Sequence, residues 1–371
     1  MLRTLLAATL TTLALTAQAA PPPQKVLLVV SSEGRDPDNQ EGKTRPGFEM
    51  EEFAQAWLVL RANGFHVDVA SPAGGAVLAD RHNPKGDLVT ALNVQPEARQ
   101  QLQATRRTAD VSPGEHAAIF VIGGKGAMFD LPRDAALQRL LAQQHERGAV
   151  LAAVCHGPAA FAHVKLANGQ PLVAGRRLTG FTDEEETQFG KRWAKEYPFW
   201  LEQRLREQGA VWEEAPLMMP KVVVDGRLVT GQNPFSTAAT AEAVVRALGR
   251  EPVTRAVFKE ELSMQLVQRW LAGEQDAVRA MLRADAARYK TDLIAMLGYY
   301  QFDAAGDDTA RRQALSIMEL AAPYMPHPQL KLGIANAHAR LGNAAHAKQL
   351  LQALLAEKPD YAPAQQALAR L

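Results

Sequence analysis

The chain has 371 residues and a formal net charge of +1, with 47% apolar and 22% charged residues. At roughly 100–200 residues per domain, this length predicts two domains. The composition is typical of a protein that buries a large core. A nucleic-acid partner is not expected, because the chain has neither a strong basic charge nor a concentrated run of lysine and arginine. The expected partner is a small molecule or a protein.

The N-terminus has the pattern of a cleavable signal peptide over residues 1–20. Arg3 supplies a positive start, an apolar stretch follows from Leu5 to Leu15, and small residues flank Gln18. The alternative is a short membrane anchor, but the stretch is shorter than the roughly 20 residues that a spanning helix needs. The sequence therefore predicts export, with the periplasm as the expected destination and no stable membrane insertion after cleavage.

Residues 21–250 alternate between short apolar runs and amphipathic stretches, which predicts an α/β domain. The predicted elements, in chain order, are strand 26–30, helix 48–63, strand 65–69, strand 117–122, helix 134–146, strand 149–154, a hairpin of strands 222–224 and 228–230, and a helix that ends at Leu248 with Ser236 as its N-cap. Continuous apolar strands separated by helices indicate a doubly wound parallel sheet covered on both faces.

Residues 251–371 lack strand signals and are rich in alanine, leucine, glutamine and arginine, which predicts a C-terminal all-α domain. Within it, residues 330–363 have the spacing of a tetratricopeptide repeat, which is given by Ala335, Gly342, Asn343, Ala347, Leu351 and Pro359. A generic helical hairpin or a docking platform for a protein partner remains an alternative, because about three such repeats are normally needed for stability.

Cys155 is the single cysteine of the chain and stands directly after a predicted buried strand. Gly157 and Pro158 suit a sharp turn and the first turn of a following helix, so the segment resembles a nucleophile elbow. A thiol near a helix N-terminus is favoured as the thiolate. A buried structural cysteine is the alternative, but the neighbouring His156 favours a nucleophile.

Other polar positions could complete a site around Cys155. The backbone N–H groups of Gly123 and Gly124 follow another predicted strand and could bind an oxyanion. One carboxylate of the acidic run 183–186 could orient His156. Three glutamates, Glu49, Glu51 and Glu52, open the first helix, and positions 49 and 52 share a face. The nine histidines show no close metal-ligand spacing, so no metal site is predicted.

Four segments resemble the PfpI superfamily in sequence and in order. They are residues 123–132 (GGKGAMFDLP), 152–160 (AAVCHGPAA), 172–186 (LVAGRRLTGFTDEEE) and 222–234 (VVVDGRLVTGQNP). The resemblance is strongest to the heat-shock glyoxalase III and chaperone branch, related to class I glutamine amidotransferase domains and to Parkinsonism-associated deglycases. It implies a flavodoxin-like fold with a reactive cysteine at the elbow, and it covers about residues 25–249.

Carried over by position, the resemblance implies that Cys155 is the nucleophile and His156 its neighbour. Glu186 matches the acidic member best, with Glu184 as the alternative. Glu52 matches the elbow-facing glutamate, while Glu49 or Glu51 remains open because Ala56 replaces the usual proline. Gly124 matches the oxyanion loop, with Gly123 beside it. Lys125 departs from the histidine common in this branch.

The resemblance further implies a cofactor-free enzyme that converts methylglyoxal to lactate. Thiolate attack on the aldehyde carbon would give a hemithioacetal, Glu52 or His156 would move a proton between the two carbons, and water would release the product. Alternatives are a deglycase, a periplasmic holding chaperone or stress-response protein, and an amidase or peptidase. A homodimer and a protein partner of the C-terminal helices remain open.

Overall fold

A computed structural model describes residues 24–34, 46–80 and 82–371 of the protein. In this part of the chain the strands are β1 (Lys25–Val29), β2 (His66–Ser71), β3 (Arg106–Arg107), β4 (Ala118–Val121), β5 (Val150–Val154), β6 (Arg177–Leu178), β7 (Val211–Trp212), β8 (Val222–Asp225) and β9 (Leu228–Gly231). Seven of them form one sheet in the order β3-β2-β1-β4-β5-β9-β8. All neighbouring pairs are parallel except the β8–β9 hairpin.

Helices flank this sheet. They are α1 (Met50–Ala62), α2 (Asp87–Asn93), α3 (Pro96–Gln103), α4 (Ala135–Glu146), α5 (Asp183–Phe189), α6 (Leu201–Glu207) and α7 (Thr237–Ala247). Helices α1 and α7 pack against each other, and α7 and α4 both contact β5. The predicted flavodoxin-like α/β fold is confirmed.

The central strands follow from the sequence pattern. All five residues of β5 and all four of β4 are buried, as expected for strands that are covered on both faces. The predicted strands and helices lie within a few residues of the observed ones, and the β8–β9 hairpin has the Asp225–Gly226 turn that the sequence indicates. The two-residue strands β3, β6 and β7 were not predicted, because so short a segment carries no periodicity.

Two local predictions were wrong. Ser236 precedes α7, but its side chain does not cap the helix; its hydroxyl donates to Asn233 Oδ1 at 3.0 Å. The segment after Cys155 is a 3₁₀ turn, Gly157–Phe161, rather than an α-helix. Gly157 lies so close to the Val121 carbonyl oxygen that a Cβ atom would approach it to 2.5 Å. The N-terminal dipole of a long helix is therefore not available to the thiol.

The C-terminal part is all-helical, as predicted. Its helices are α8 (Lys259–Leu271), α9 (Gln275–Ala284), α10 (Thr291–Ala304), α11 (Asp308–Ala321), α12 (Pro328–Arg340), α13 (Ala344–Glu357) and α14 (Ala362–Ala369). We call residues 259–371 the helical region and residues 24–249 the α/β unit. The core of the helical region includes Leu217, Met218 and Met219, which the α/β unit contributes.

The predicted repeat falls on α12 and α13, which pack together. Ala335, Ala347 and Leu351 are buried there, beside Ala364 of α14. The assignment to tetratricopeptide repeats stays a prediction. The predicted signal peptide at residues 1–20 lies outside the described residues, and among the helices that the structure describes none is long and apolar enough to cross a bilayer.

Candidate active site

Cys155 lies at the carboxyl end of β5 in a left-handed backbone conformation, with φ of 58°. This conformation is unfavourable for a residue with a Cβ atom and persists only where surrounding contacts impose it. Two backbone hydrogen bonds do so: Cys155 N–H donates to Gly231 at 2.9 Å, and Phe181 N–H donates to the Cys155 carbonyl at 2.8 Å. The strained turn displays the thiol at the edge where parallel-sheet proteins bind ligands.

His156 connects the thiol to a buried carboxylate. Its Nδ1 lies 3.4 Å from Cys155 Sγ, and its Nε2 lies 2.7 Å from Glu186 Oε2. The carboxylate accepts a hydrogen bond from Nε2–H, which leaves the Nδ1 lone pair facing the thiol. The imidazole also packs against the Phe181 ring at 4.4 Å between centroids. The arrangement can remove the thiol proton and hold the resulting imidazolium.

Glu52 approaches the thiol from α1. Its side chain is fully buried, its Oε2 accepts a hydrogen bond from Gly123 N–H at 2.8 Å, and it lies against the thiol. Its Oε1 has no nitrogen or oxygen partner among the described residues. The Gly123 N–H is therefore occupied, whereas the Gly124 N–H faces Cys155. Of the two predicted oxyanion donors, Gly124 alone points toward the reacting sulfur.

Cys155 and Glu52 are adjacent buried groups whose pKa values depend on each other. Burial raises the pKa of the Glu52 carboxyl well above its usual value, and the charge of Glu49 raises it further. Burial likewise raises the pKa of the Cys155 thiol, to which the Glu52 charge adds, while the Gly124 N–H lowers it. Both shifts favour the protonated forms, and two adjacent buried groups are not ionised together, so formation of the thiolate requires a neutral Glu52. A neutral Glu52 can donate through Oε1 to a bound oxygen atom.

The other predicted glutamates differ in position. Glu49 lines the same cavity as Cys155, and burial raises its pKa to about 7. Glu51 does not line that cavity. Glu184 is exposed on α5 and lies away from His156, while Glu186 of the same run is buried. Successive residues of a helix point in different directions, so one member of the acidic run faces His156.

Glu185 was not predicted as a site residue, yet it is fully buried and lines the cavity. Its Oε1 accepts hydrogen bonds from Asn233 Nδ2 at 2.8 Å and from Met218 N–H at 3.1 Å. Its Oε2 closes a capping box with Thr182 at the start of α5. Burial raises the pKa of Glu185 to about 7. The Thr182-x-x-Glu185 spacing was a readable sign of the capping box, but not of the contacts across the chain.

The thiol opens into a cavity of about 300 Å³. Cys155, Glu52 and Gly124 lie at its base. Its walls are largely apolar, and they are formed by Phe181, Phe189, Met218, Phe235, Met296 and Tyr300. Lys125 and Lys191 add positive charges to the lining. The volume is at the lower end for small-molecule sites, which indicates a small ligand with an apolar part.

One group of potential metal ligands occurs among the described residues, and it is remote from the thiol. Asp68, Glu115 and His116 bring ligand atoms within 4.8 Å of one another near the amino end of β4. Lys25 and Arg106 already pair with these carboxylates. The two carboxylates are thus already paired with lysine and arginine side chains. Cys155 lies at the carboxyl ends of the strands, at the opposite edge of the sheet.

A parallel α/β sheet with a strained cysteine elbow, a histidine–carboxylate pair and a buried glutamate defines a class of cysteine-centred flavodoxin-like proteins. The sequence model of the DJ-1/PfpI family matches residues 44–247. The chain belongs to the DJ-1/PfpI family. The helical region lies beyond this match.

The relatives include named glyoxalases. Glyoxalase 3 of Candida albicans is 31% identical over 233 residues, which cover 60% of this chain and 98% of that protein. A glutathione-independent glyoxalase of Schizosaccharomyces pombe is 34% identical, covering 60% of this chain and 95% of its own length.

Solved structures match the same part of the chain as these relatives. The crystal structure of Candida albicans glyoxalase III matches with a TM-score of 0.55 and 30% identity, over 60% of this chain and 97% of that one. The 24 kDa rapid encystment protein of Francisella tularensis matches with a TM-score of 0.56 and 26% identity, over 61% of this chain and 99% of that one. The similarity thus extends over nearly the whole of each relative.

Proposed function

We propose that this protein is a cofactor-independent glyoxalase that converts methylglyoxal to lactate. The observation that carries the proposal is the connected set Cys155–His156–Glu186, with Glu52 on the other side of the thiol, at the base of a cavity of about 300 Å³. The names of the relatives support the same chemistry.

The first step is addition of the thiol to the aldehyde. His156 Nδ1 takes the thiol proton, the sulfur forms a bond to the aldehyde carbon, and the carbonyl electron pair moves to its oxygen. That oxygen lies in reach of the Gly124 N–H and then accepts the proton from His156, which gives a neutral hemithioacetal. Glu186 stabilises the imidazolium that exists between the two transfers.

The second step moves hydrogen between adjacent carbons. A base, His156 or ionised Glu52, removes the C1 proton while the C2 carbonyl oxygen is protonated, which gives an enediol. Return of a proton to C2 and loss of the O1 proton give a thioester. C1 is oxidised and C2 is reduced by the same two electrons, so no redox cofactor is needed. Water then cleaves the C1–S bond and restores the thiol and the acid product.

The test is lactate formation from methylglyoxal without added glutathione, comparing the protein with Cys155→Ala. We expect the variant to lose at least about 10³-fold in kcat/KM, because the covalent route is removed. Alanine should adopt the same left-handed conformation at no greater cost than cysteine, so circular dichroism and thermal unfolding serve as the folding control. Equal activity in the two proteins would overturn the proposal.

The cavity size favours this function over an amidase or peptidase. An amidase or peptidase must admit an extended chain, whereas a cavity of about 300 Å³ accommodates a triose-sized aldehyde.

A holding-chaperone function predicts that suppression of client aggregation survives Cys155→Ala and is lost without the helical region. Loss of that suppression in Cys155→Ala would count against a chaperone.

Export to the periplasm remains part of the proposal and depends on the sequence of residues 1–20 alone. Mass spectrometry of the mature N-terminus in an expressing cell tests it. We expect a chain that begins after Ala19 or Ala20 in the periplasmic fraction. An intact Met1 in that fraction would contradict cleavage.

A further inference from the structure

The helical region contributes to the wall of the cavity that holds Cys155. Met296 and Tyr300 belong to α10, and both line this cavity together with residues of the α/β unit. Because they are four residues apart, they lie on the same face of the helix. Both lie beyond residues 44–247, the part that the family model matches. The cavity is thus completed by a segment that the family domain does not include.

Two contacts hold α10 in this position. The Tyr300 ring packs edge-to-face on Phe189 with 4.8 Å between centroids, and Phe189 also lines the cavity. Gln301 Nε2 donates to the Leu217 carbonyl at 2.8 Å. The next residue, Met218, lies in the core of the helical region and lines the cavity as well. This wall of the cavity is therefore formed by residues of both the α/β unit and the helical region.

Helix α5 joins this wall to the catalytic chemistry. Glu186, which binds His156, and Phe189, which packs on Tyr300, are three residues apart on α5. A ring and a thioether facing the cavity offer apolar contact and no charge. Their side chains therefore suit the alkyl part of a substrate, while Glu52, His156 and Gly124 contact the thiol.

We propose that Met296 and Tyr300 are specificity-determining residues, which select 2-oxoaldehydes with a short apolar substituent. This inference rests on the proposed function, because it names the substrate class of that same site. One methylene group in an apolar pocket is commonly discriminated by about 10-fold or more. The selection is steric and apolar, so it depends on the volume that positions 296 and 300 occupy.

The experiment measures kcat/KM for methylglyoxal and for the bulkier phenylglyoxal in the full chain. Met296→Ala enlarges the cavity, and we expect the ratio of phenylglyoxal to methylglyoxal to rise by about 5-fold. Met296→Trp fills it, and the ratio should fall by a similar factor. Met296 is 42% exposed, so both variants are expected to fold.

Tyr300→Ala should raise the ratio by about 10-fold, because a larger ring is removed. Asp303→Ala is the control: Asp303 is an exposed residue of the same helix and does not line the cavity of Cys155. The control should leave the ratio within about 2-fold of the unsubstituted protein. A ratio that stays constant in both Met296 variants and in Tyr300→Ala would overturn the inference.

A second measurement separates this inference from the proposed function. Cys155 is the single thiol, so its alkylation by small iodoacetamide and by bulky N-phenylmaleimide reports access without catalysis. We expect Met296→Ala to accelerate the bulky reagent selectively and Met296→Trp to slow it. If the unsubstituted protein turns over neither aldehyde, the proposed function fails, and these rates together with those of Tyr300→Ala still decide whether Met296 and Tyr300 form the wall.

Discussion

The two parts of the molecule bury different kinds of side chain. The α/β unit encloses Glu52, Glu185, Glu186 and His156 at or below 4% exposure. In the helical region, all of which is described, the buried charged and polar side chains are those of Glu260 and Ser263, and the remaining core is apolar. Burying a polar group is costly unless it is hydrogen-bonded. The α/β unit bears this cost around Cys155, whereas the helical region gains stability from packing.

The two parts also differ in how closely their glycines approach neighbouring atoms. Gly123, Gly124, Gly126 and Gly157 of the α/β unit lie where an added Cβ atom would come within 3 Å of other atoms. In the helical region Gly298 is the comparable case, and Gly273, Gly306 and Gly342 lie in open space. The site thus depends on backbone groups that approach one another closely. A methyl group added at one of these crowded glycines should therefore destabilise the protein more than one added at a glycine in open space.

The largest effect is expected for Gly124→Ala. Its φ is +96°, and the new Cβ atom would lie 2.4 Å from Glu49 N. Overpacking together with left-handed strain should lower the free energy of unfolding by about 3–5 kcal/mol, measured by urea denaturation. Gly148→Ala is the control, because its φ is +77° and it has no atom within 4 Å. It should cost about 1 kcal/mol. Similar losses of unfolding free energy in both variants would show that the left-handed backbone conformation, and not steric crowding, causes the destabilisation.

Leu297→Ala tests the apolar core of the helical region. Leu297 is fully buried on α10. The lost contacts and the cavity should cost about 2–4 kcal/mol. We expect amide hydrogen exchange to accelerate in α8, α10 and α11 and to stay slow in β4 and β5. Equal acceleration in the strands would mean that the two parts unfold as one cooperative unit.

Glu186→Gln tests the orientation of His156. Glutamine keeps the shape of the side chain but removes the charge that stabilises the imidazolium, so kcat/KM should fall by about 30-fold, or about 2 kcal/mol. Glu184→Gln changes an exposed residue two positions earlier on the same helix. It should leave kcat/KM within about 2-fold. If the two substitutions have equal effects, the overall charge of α5 matters rather than the contact at 2.7 Å.

Glu49→Gln should have the smallest effect, and one that depends on pH. Burial raises the pKa of Glu49 from 4.5 to about 7, so the folded protein binds more protons than the unfolded chain between these values. Stability from this group is therefore lost as the pH rises from 4.5 to 7. Glutamine does not titrate, so the variant should be equal in stability to the unsubstituted protein near pH 4.5 and more stable at pH 8. The rise of the pKa from 4.5 to about 7 sets an upper limit of about 3 kcal/mol for this gain, and the partial exposure of Glu49 to solvent reduces it to about 1–2 kcal/mol.

Urea denaturation at both pH values measures this difference. Glu196→Gln, at an exposed position with the same side-chain type, is the control and is measured at the same two pH values. A stabilisation by Glu49→Gln that is identical at pH 4.5 and pH 8 would contradict the assignment of the effect to burial of a titrating carboxyl.

Much of the fold was readable from the sequence because the signals are local. The continuous apolar runs of β1, β4 and β5 indicate central parallel strands, and the abrupt end of β5 at a cysteine indicates the elbow. The choice of Glu186 and Glu52 required a resemblance to a known family. Nothing in the run 183–186 distinguishes the member that faces His156 from its exposed neighbour Glu184.

The sequence by itself determined an α/β sheet with Cys155 at a strand end and an all-helical C-terminal part, because periodicity and composition act over a few residues. Tertiary structure alone decided that Gly123 N–H binds Glu52, that Glu185 is buried against Asn233, and that Met296 and Tyr300 complete the cavity. These contacts join residues far apart in the chain. Their geometry depends on how α10 packs against the α/β unit, which no local pattern encodes.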